Sequence, residues 1–559
     1  MARTPVLFVP GICGSFNLGV LLDWRGPTLS GWGFPPFADY GKNLLEAFTK
    51  AGYTRDLDLF VAFYDWRKSV KDSAQFYLKP WIDQAKQRAR AQKVVLVGHS
   101  MGGLVSRSYI QSKSYANDVE ALITLGTPQR GSAQAYYTWG NGEIRGDATT
   151  KTVFSVYLWY LRHAHPFQTD LSELKAVRAL VPSIRDLLPI DDYLLTQGVP
   201  PVPKLEDGLT ERNLVVDLLN QATGIETLVG RVPVTTIAGG GVTTIATITV
   251  TAPPVPPGNP AVFPDGAPVN DNTNSDGDGT VLRTSAQLEH QRVNNLAPLP
   301  GVDHGTMPDH PTVLARIFGQ LGVASPLLGA APASEPRLVI MTASPVTLRV
   351  EAPGGAALTS GGVLGGGLEE AAPRRRARVV RGKDHGHSGK HLNIAVIPSP
   401  AAGLHRVQLT GTATGTFALG ALLISADGVT VLGGGADEGG AAAPQSRVTD
   451  VTTHEGRVVA GSEIFYTVNV QDLETAPEVT VDAPRTTASA VARLRGAIGG
   501  GILGGGGGDG ADPVDTVLGG AGDPTSHADA LSSLAERLVG PDDPDLAEAI
   551  ITQLQAAKG

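Results

Sequence analysis

The chain has almost no cysteine: Cys13 is the one thiol among 559 residues. A single thiol cannot form an internal disulfide, and it cannot supply the several thiolates of a structural zinc site or an iron–sulfur cluster. A lone cysteine is more often inert packing than a nucleophile. We therefore expect no disulfide framework, no metal site and no cofactor.

The chain also lacks an excess of positive charge, with 45 Lys and Arg against 54 Asp and Glu and a formal net charge of −9. Extensive binding to nucleic acid or to an anionic membrane requires the opposite balance. The basic run Pro373–Arg378 is interpreted as a solvated loop, and the His-rich run Asp384–His391 lacks the rigidity of a metal site. We expect no nucleic-acid partner, and any contact with lipid to be local and peripheral.

Long apolar helical runs are missing as well. Val232–Val250 and Val407–Ala426 carry no charge over about the length of a bilayer span, but their Thr and Gly content is typical of strands and turns. The apolar run Val6–Val9 follows Met1 too closely to leave room for a signal segment. We expect no signal peptide and no transmembrane helix, which favours a cytoplasmic location without fixing it.

Glycine and proline, by contrast, are abundant, at 69 and 40 residues, which excludes an all-helical architecture. From Pro5 to about Leu125, short β-rich runs alternate with helical stretches. The expected strands are Val6–Val9, Leu59–Phe63, Val94–Val97 and Ala121–Leu125, and the expected helices are Tyr40–Lys50, Val70–Gln92 and Leu104–Gln111. This alternation predicts an α/β domain whose parallel sheet is covered on both faces.

The composition changes along the chain predict its domains. The α/β domain is expected over residues 1–325, with a mostly helical, aromatic-rich cap inserted at about 132–230. A linker at 326–336 precedes short strands without helices, which predict a β-sandwich-like domain over 337–482 that is the candidate for binding a further partner. A Gly-rich segment at 483–524 is expected to be disordered, and 525–559 is expected to form a short helical tail.

The strongest chemical signal is Gly98–Gly102, Gly-His-Ser-Met-Gly, which lies between the strand Val94–Val97 and the helix Leu104–Gln111. In that context the pattern is typical of a nucleophile elbow, a strained turn that exposes the serine hydroxyl. Ser100 is the predicted nucleophile. The start of the following helix offers unpaired N–H groups, that of Met101 among them, to a developing oxyanion.

A nucleophilic serine needs a base and an orienting carboxylate, and in this kind of fold the acid and then the histidine follow the serine in the chain. The acid candidate is Asp278 in the loop Ser275–Val281, with Asp276 as the alternative. The base candidate is His304, with His310 as the alternative beside a probable helix start.

The same acidic loop partly imitates a calcium-binding loop, because Asn272, Asn274 and Asp276 have the spacing of its first ligands. The position that requires a bidentate glutamate is Arg283. We therefore do not expect a calcium site there.

Five motifs, in this order, resemble the lecithin:cholesterol acyltransferase family of α/β-hydrolases, which also includes related lipases and phospholipases. The resemblance covers about Pro5 to Gly322. Its motifs are Pro5–Ser15, Tyr64–Arg67 (Tyr-Asp-Trp-Arg), Gly98–Gly103, Gly126–Ser132 and Gly277–Val281.

The resemblance implies an α/β-hydrolase fold with a helical cap, and hydrolysis or transfer of lipid or other apolar acyl esters. Position by position, it implies Ser100 as nucleophile, Asp278 as acid and His304 as base. It further implies that the N–H groups of Ile12 and Met101 form the oxyanion hole. The alternative is a non-catalytic binding or tethering protein in which the C-terminal β domain carries the function.

Overall fold

The structure is a computed structural model of the chain, and its described residues fall into two compact units. The first unit comprises Met1–Leu158 and Thr169–Ala333, and the second comprises Trp159–Gln168 and Ser334–Gly559. The described residues are 3–23, 26–36, 40–164, 173–253, 262–326, 336–343, 345–355, 357–359, 378–383, 391–424, 451–458, 460–461, 463–471, 478–482, 491, 494, 528–538 and 550–551.

Several predictions from the sequence fall outside these residues. They include most of the linker at 326–336, most of the basic run and of the His-rich run, and nearly all of the Gly-rich segment at 483–524. Within the predicted tail at 525–559, one helix is described, Ala528–Leu538.

The centre of the first unit is a six-stranded parallel sheet with the strand order β11-β7-β4-β3-β1-β2. The strands of this unit are β1 (Val6–Val9), β2 (Leu59–Val61), β3 (Val94–His99), β4 (Val119–Leu125), β5 (Leu194–Thr196), β6 (Pro203–Lys204), β7 (Val234–Ile237), β8 (Gly239–Gly240), β9 (Thr244–Val250), β10 (Pro268–Asn274), β11 (Val293–Asn295) and β12 (Leu299–Pro300). Val6 of β1 lies opposite Leu59 on one side and Val95 on the other. Both β1 and β3 are buried along their whole length, as expected for strands that are covered on two faces. The predicted α/β class is confirmed.

Helices connect these strands and cover the sheet. They are α1 (Leu18–Asp23), α2 (Lys42–Lys50), α3 (Val70–Ser73), α4 (Lys79–Ala89), α5 (Met101–Gln111), α6 (Ala135–Asn141), α7 (Ala148–Ala164), α8 (Glu173–Leu180), α9 (Leu214–Asn220), α10 (Ala222–Arg231), α11 (Arg283–Ala286) and α12 (Pro311–Leu321), and the helix near the C-terminus is α13 (Ala528–Leu538). The predicted helix Val70–Gln92 is divided into α3, a π-helical turn at Ala74–Leu78, and α4. Pro80 has no N–H to donate, which accounts for an interrupted hydrogen-bond ladder at this point.

The apolar core of the sheet explains why α2 and α12 pack where they do. Phe48 of α2 and Phe318 of α12 are fully buried, with ring centroids 4.9 Å apart. Helix α12 begins with Pro311 and is followed by Gly322 in the left-handed conformation, at φ 65°. These residues are typical of a helix start and a helix end, so the segment that precedes α12 leads into a well-defined helix.

The cap segment at 132–230 is less purely helical than predicted. In addition to its helices it contributes β5 and β6 to a four-stranded sheet with the order β10-β9-β5-β6. Leu194 of β5 pairs with Ile248 of β9, more than fifty residues later in the chain. A three-residue strand with a distant partner carries too short a pattern to be recognised in the sequence.

The second unit contains two five-stranded antiparallel sheets, with the orders β16-β17-β13-β19-β20 and β15-β14-β18-β21-β22. Their strands are β13 (Arg337–Ala343), β14 (Val346–Glu351), β15 (Ala357–Thr359), β16 (Arg378–Lys383), β17 (His391–Pro398), β18 (Gly403–Gly411), β19 (Gly415–Ile424), β20 (Thr452–Val458), β21 (Glu463–Gln471) and β22 (Glu478–Asp482). One buried cluster combines Ile340 and Leu419 of the first sheet with Leu348 and Leu409 of the second. The two sheets therefore share a core, as predicted for a sandwich.

Strand β16 corrects one interpretation of the sequence. Arg378 closes the basic run that was expected to be a solvated loop, yet it begins β16 and pairs with Val396 of β17. Its strand has a neighbour on one side, and charged residues are common on such edge strands.

The charge-free stretches considered above form strands, namely β7 and β9 in the first and β18 and β19 in the second. Among the helices that the structure describes, none is both long and apolar enough to cross a membrane.

Substitution of Leu409 tests whether the two sheets of the sandwich share a core. Leu409 is fully buried and lies opposite Leu348 and Ile464. Leu409→Ala should lower the free energy of unfolding of this unit by about 2–5 kcal/mol, because it leaves a cavity. Chemical denaturation measures the change, with Gln408→Ala, a partly exposed neighbour, as the control. Equal effects of the two substitutions would contradict this packing.

Candidate active site

Ser100 lies in the sharp turn between β3 and α5, with φ 51° and ψ −129°. A non-glycine residue rarely adopts a positive φ, and such strain is characteristic of functional positions. The serine is 6 % exposed, so its surroundings are almost dry. The predicted nucleophile elbow therefore has the expected strand, strained turn and helix.

The glycines beside Ser100 are explained by close backbone approaches. A Cβ atom at Gly98 would lie 2.7 Å from the Cα of Gly103, and one at Gly102 would lie 2.2 Å from the carbonyl oxygen of Val9. Any side chain at these positions would push α5 away from the sheet. The Gly-x-Ser-x-Gly pattern thus allows the start of α5 to lie directly against the end of β1.

His304 lies between Ser100 and Asp278. Its Nε2 is 2.9 Å from Ser100 Oγ, and its Nδ1 is 2.8 Å from Asp278 Oδ2. A carboxylate only accepts, so Nδ1 carries the proton, and Nε2 of the neutral ring accepts the hydroxyl proton of Ser100. The structure brings the three residues together, and their catalytic roles stay predictions.

The acid and the base are also held by their backbones. The N–H of His304 donates to the carbonyl oxygen of Asp278 at 2.9 Å. The second carboxylate oxygen, Oδ1 of Asp278, accepts from the N–H groups of Thr280 and Val281 at 3.0 and 2.7 Å. Both oxygens of this fully buried carboxylate are therefore paired, as a buried polar group requires.

The alternative acid and base have other partners. The carboxylate of Asp276 forms an ion pair with Arg283 at 2.7 Å, and its side chain is 45 % exposed. His310 precedes α12, where its Nδ1 accepts from the N–H of Thr312 at 3.3 Å. These contacts favour a structural role for both residues.

Asn272 and Asn274 of the loop that partly imitates a calcium site make hydrogen bonds within the protein. Asn272 lies on β10 and donates to the hydroxyl groups of Thr247 and Thr249 on β9, both at 3.1 Å. Asn274 accepts from the N–H of Asp276 at 2.8 Å. Across the described ranges, the structure contains no group of three or more His, Cys, Asp or Glu residues that could hold a metal ion.

Charge around His304 favours its protonated form. Burial lowers the pKa of this histidine, but the carboxylate of Asp278 outweighs burial through its charge and hydrogen bond, and Asp147 and Asp303 act in the same direction. The net effect raises the pKa to about 9. An imidazolium formed during proton transfer would accordingly be stabilised.

His99, the neighbour of Ser100, is placed differently. Its Nε2 is 2.9 Å from the carbonyl oxygen of His304, and its Nδ1 is 2.8 Å from the hydroxyl oxygen of Tyr40. A carbonyl only accepts, so Nε2 carries the proton and Nδ1 accepts from Tyr40. Burial and the neighbouring His304 lower the pKa of His99 well below its usual value, which keeps this ring neutral. These contacts give His99 a structural role beside the nucleophile.

The loop after β1 passes directly beside the nucleophile. A Cβ atom at Gly11 would lie 2.9 Å from the Cβ of Ser100. The N–H of Gly14 donates to the carbonyl oxygen of Gly11 at 3.0 Å, and Cys13 has φ 60°, which together describe a tight turn centred on Ile12 and Cys13. Ile12 thus lies in the loop that the sequence predicted to carry an oxyanion donor.

The N–H groups of Ile12 and Met101 are available as donors. Neither makes a hydrogen bond to any residue that the structure describes. Met101 opens α5, where backbone N–H groups have no partner within the helix. Cys13 is fully buried, and burial raises the pKa of its thiol well above the usual value, so it stays protonated in agreement with a packing role.

Two residues near the site were not recognised in the sequence. Tyr40 contacts His99, and Asp147 lies against Gly305, where a Cβ atom would be 2.9 Å from the Cβ of Asp147. Neither belongs to a motif with a chemical meaning. Asp147 precedes α7 and accepts from the N–H and hydroxyl of Thr150, so its one local signal is that of a helix cap.

Part of the first unit matches known proteins. The family model described as Lecithin:cholesterol acyltransferase matches residues 38–156. Lysosomal phospholipase A and acyltransferase of Homo sapiens is 29% identical over 140 residues, which is 24% of this chain and 32% of that protein. Phosphatidylcholine-sterol acyltransferase of Gallus gallus is 32% identical over 114 residues, 20% of this chain and 27% of that protein. The alignments therefore span about a third or less of these relatives.

A comparison with solved structures returns a lipase, among others, at low similarity. The Bacillus licheniformis lipase BlEst2 in its propeptide form has a TM-score of 0.31 and 14% sequence identity, and the alignment covers 86% of this chain and 96% of that chain.

Asp147 provides a test of the electrostatics around His304. If His304 accepts the proton of Ser100, it must be neutral, so kcat/KM for an ester should rise with pH through the pKa of His304. Asp147→Asn removes a charge that raises this pKa and should move the rise to lower pH. Asn retains an oxygen that caps α7. The exposed Asp191, which pairs with Arg130, supplies the control Asp191→Asn. If the pH midpoint of kcat/KM were the same in Asp147→Asn as in the wild type, the rise would not report the pKa of His304, and its assignment as the base would be refuted.

Proposed function

We propose that this protein cleaves carboxylic esters of lipids through a covalent acyl-enzyme. The premise is its resemblance to the lecithin:cholesterol acyltransferase family, which is confirmed over residues 38–156. Ser100 is the nucleophile, His304 the general base and acid, and Asp278 the orienting carboxylate. The observation that carries the proposal is the continuous pair of hydrogen bonds from Ser100 Oγ to His304 Nε2, 2.9 Å, and from His304 Nδ1 to Asp278 Oδ2, 2.8 Å.

The first half-reaction transfers the acyl group to the enzyme. Neutral His304 takes the proton of Ser100 Oγ at Nε2 while Oγ forms a bond to the ester carbonyl carbon. The carbonyl oxygen becomes an oxyanion, which the N–H groups of Ile12 and Met101 stabilise. His304 then donates its proton to the alcohol oxygen, the carbon–oxygen bond breaks, and the alcohol leaves.

The second half-reaction repeats these steps with a new acceptor. Water or a second alcohol gives its proton to His304 Nε2 and attacks the acyl carbon, and the proton returns to Ser100 as the acyl group leaves. With water the product is a carboxylic acid, and with an alcohol it is a new ester. The same three residues serve hydrolysis and transfer, so the acceptor that reaches the acyl-enzyme decides between them.

Asp278 orients and stabilises the base rather than accepting a proton. The hydrogen bond at Nδ1 keeps His304 in the tautomer whose Nε2 faces Ser100. The negative charge of Asp278 compensates the positive imidazolium in a site with little water. Both effects lower the barrier without any change in the protonation state of Asp278.

The lipid nature of the ester is supported by the relatives, whose names describe a phospholipase A and acyltransferase and a phosphatidylcholine-sterol acyltransferase. The aromatic residues of the cap are weaker support. Tyr136 is buried, donates from its hydroxyl to the carbonyl oxygen of Gly266 and packs against Phe263 with ring centroids 5.3 Å apart. These contacts join Tyr136 of the cap to a later segment of the chain, so its ring is part of the core of the first unit. We propose an apolar acyl chain and local, peripheral contact with lipid.

An assay with aryl esters of increasing acyl length, with and without an added alcohol, tests the proposal. Wild-type protein should prefer long chains and form a new ester when the alcohol is present. Ser100→Ala should lower kcat by about a thousandfold or more, because the nucleophile is lost.

The control is the melting temperature of Ser100→Ala, which should match that of the wild type or exceed it. Equal activity of the folded variant and the wild type on every ester would remove the basis for an enzyme, and would favour the alternative of a binding or tethering protein. Hydrolysis of short chains alone, without transfer, would replace the lipid substrate with a small ester.

A further inference from the structure

Two buried tyrosines hold opposite sides of a single peptide unit beside the nucleophile. The hydroxyl of Tyr64 donates to the carbonyl oxygen of Pro10 at 2.8 Å, and the N–H of Gly11 donates to the hydroxyl oxygen of Tyr40 at 2.9 Å. This carbonyl and this N–H belong to the same amide, whose atoms are coplanar. The two contacts therefore fix the plane of the Pro10–Gly11 peptide from both sides.

The direction of each hydrogen bond is determined by its neighbours. The oxygen of Tyr40 accepts from Gly11, so its proton goes to Nδ1 of His99 at 2.8 Å. His99 in turn donates from Nε2 to the carbonyl oxygen of His304 at 2.9 Å. Tyr40 thus connects the loop after β1 to the residue before Ser100 and, through it, to the segment that carries His304.

The clamped peptide is adjacent to a predicted oxyanion donor. The next amide along the chain joins the carbonyl of Gly11 to the N–H of Ile12. Its carbonyl oxygen accepts from the N–H of Gly14 at 3.0 Å, so the orientation of this second amide depends on the turn and on the clamped peptide that leads into it.

We propose that Tyr64 and Tyr40 are positioning residues that fix the Pro10–Gly11 peptide and so aim the N–H of Ile12 at the oxyanion. This inference rests on the proposed function, because the oxyanion exists only during ester cleavage. It gives a physical role to the motif Tyr64–Arg67, one of the five motifs that carry the family resemblance.

Trp66 and Arg67 of the same motif hydrogen-bond to the chain between β1 and α1, after the clamped peptide. Trp66 donates from Nε1 to the carbonyl oxygen of Ser15 at 3.0 Å. Arg67 donates to the carbonyl oxygens of Val20 and Leu21, both at 3.0 Å. The segment from β1 to α1 is thus held at three places by Tyr64, Trp66 and Arg67 of one motif.

Asp65, the remaining residue of the motif, binds the guanidinium of Arg67. Its two carboxylate oxygens accept from Nε and Nη2 of Arg67, both at 2.8 Å. A bidentate pair of this kind is geometrically specific, and both side chains are almost fully buried. Arg67 therefore presents its remaining donors to α1 in a fixed orientation.

Loss of the hydroxyl of Tyr64 or of Tyr40 should weaken stabilisation of the transition state more than binding of the substrate. Tyr64→Phe keeps the ring in place but leaves the carbonyl of Pro10 without its partner, so the peptide is held from one side, through the bond of its N–H to Tyr40. The bound ester has a neutral carbonyl oxygen, and full charge develops only after attack. We therefore expect kcat to fall about tenfold for Tyr64→Phe or for Tyr40→Phe, with little change in KM.

The matched control is Tyr109→Phe. Tyr109 is buried to a similar extent on α5, and its hydroxyl donates to Asp118 at 2.6 Å, outside the clamped loop. This variant also loses a buried hydroxyl and should keep the wild-type kcat. Melting temperatures show whether each variant is folded.

A double-mutant cycle with Ile12 separates positioning from general stabilisation. Ile12→Pro removes the donor N–H at a turn position that favours proline, and should lower kcat about a hundredfold. Ile12→Ala retains the N–H and serves as its control. Because the clamp acts through this N–H, adding Tyr64→Phe to Ile12→Pro should cause no further loss of kcat.

The outcomes distinguish this inference from the function on which it rests. Fluorophosphonate labelling of Ser100 in the wild type, with the expected non-additivity, supports both. Labelling of the wild type together with a further tenfold loss in the double variant, or with equal kcat for Tyr64→Phe and Tyr109→Phe, overturns the clamp alone. A wild type that is folded, is not labelled and cleaves no ester overturns the proposed function and the clamp with it.

Discussion

The hydrogen bond between His304 and Asp278 is the interaction on which the organisation of the site depends. It joins two side chains that are almost completely buried, at 2.8 Å. A histidine in so dry an environment would ordinarily be neutral and free to adopt either tautomer. The carboxylate fixes the tautomer, raises the pKa of the ring and turns Nε2 toward Ser100. The strained serine and the N–H groups of Ile12 and Met101 beside it depend on this orientation for their chemical use.

The parallel sheet makes this convergence possible. The loop after β1, the elbow after β3 and the turn at Gly126 after β4 all leave the carboxyl ends of neighbouring strands, which meet at one edge of the sheet. A Cβ atom at Gly126 would lie 2.9 Å from Asp278 Oδ2 and 3.1 Å from His304 Nδ1. Residues from distant parts of the chain thus contact each other because of the strand order, and several glycines provide the space that they need.

The sequence was sufficient to predict what has a local pattern. Alternating strands and helices predicted the α/β unit, and the Gly-x-Ser-x-Gly pattern between a strand and a helix predicted the elbow at Ser100. Asp278 and His304 followed from chain order and loop context, with Asp276 and His310 left as alternatives that only the three-dimensional contacts could distinguish.

Features that depend on tertiary contacts were not predicted. Strand β10, Pro268–Asn274, is polar and has no hydrophobic alternation, since its side chains bond to β9 rather than enter a core. Strand β16, Arg378–Lys383, lies at a sheet edge and carries charged residues, so its sequence lacks the apolar pattern of a buried strand. Tyr40 acts through hydrogen bonds to Gly11 and His99, and Asp147 through its charge near His304, so no spacing rule could identify them.

The proposed mechanism requires that an acyl group is transferred to Ser100. Acid quenching within the first turnover of a long-chain aryl ester, followed by mass analysis of the digested chain, tests it most directly. The peptide that contains Ser100 should gain the mass of one acyl group, and no other peptide should. Release of product with the acyl group on another residue, or with no acylation of Ser100 at any time during the first turnover, would contradict it.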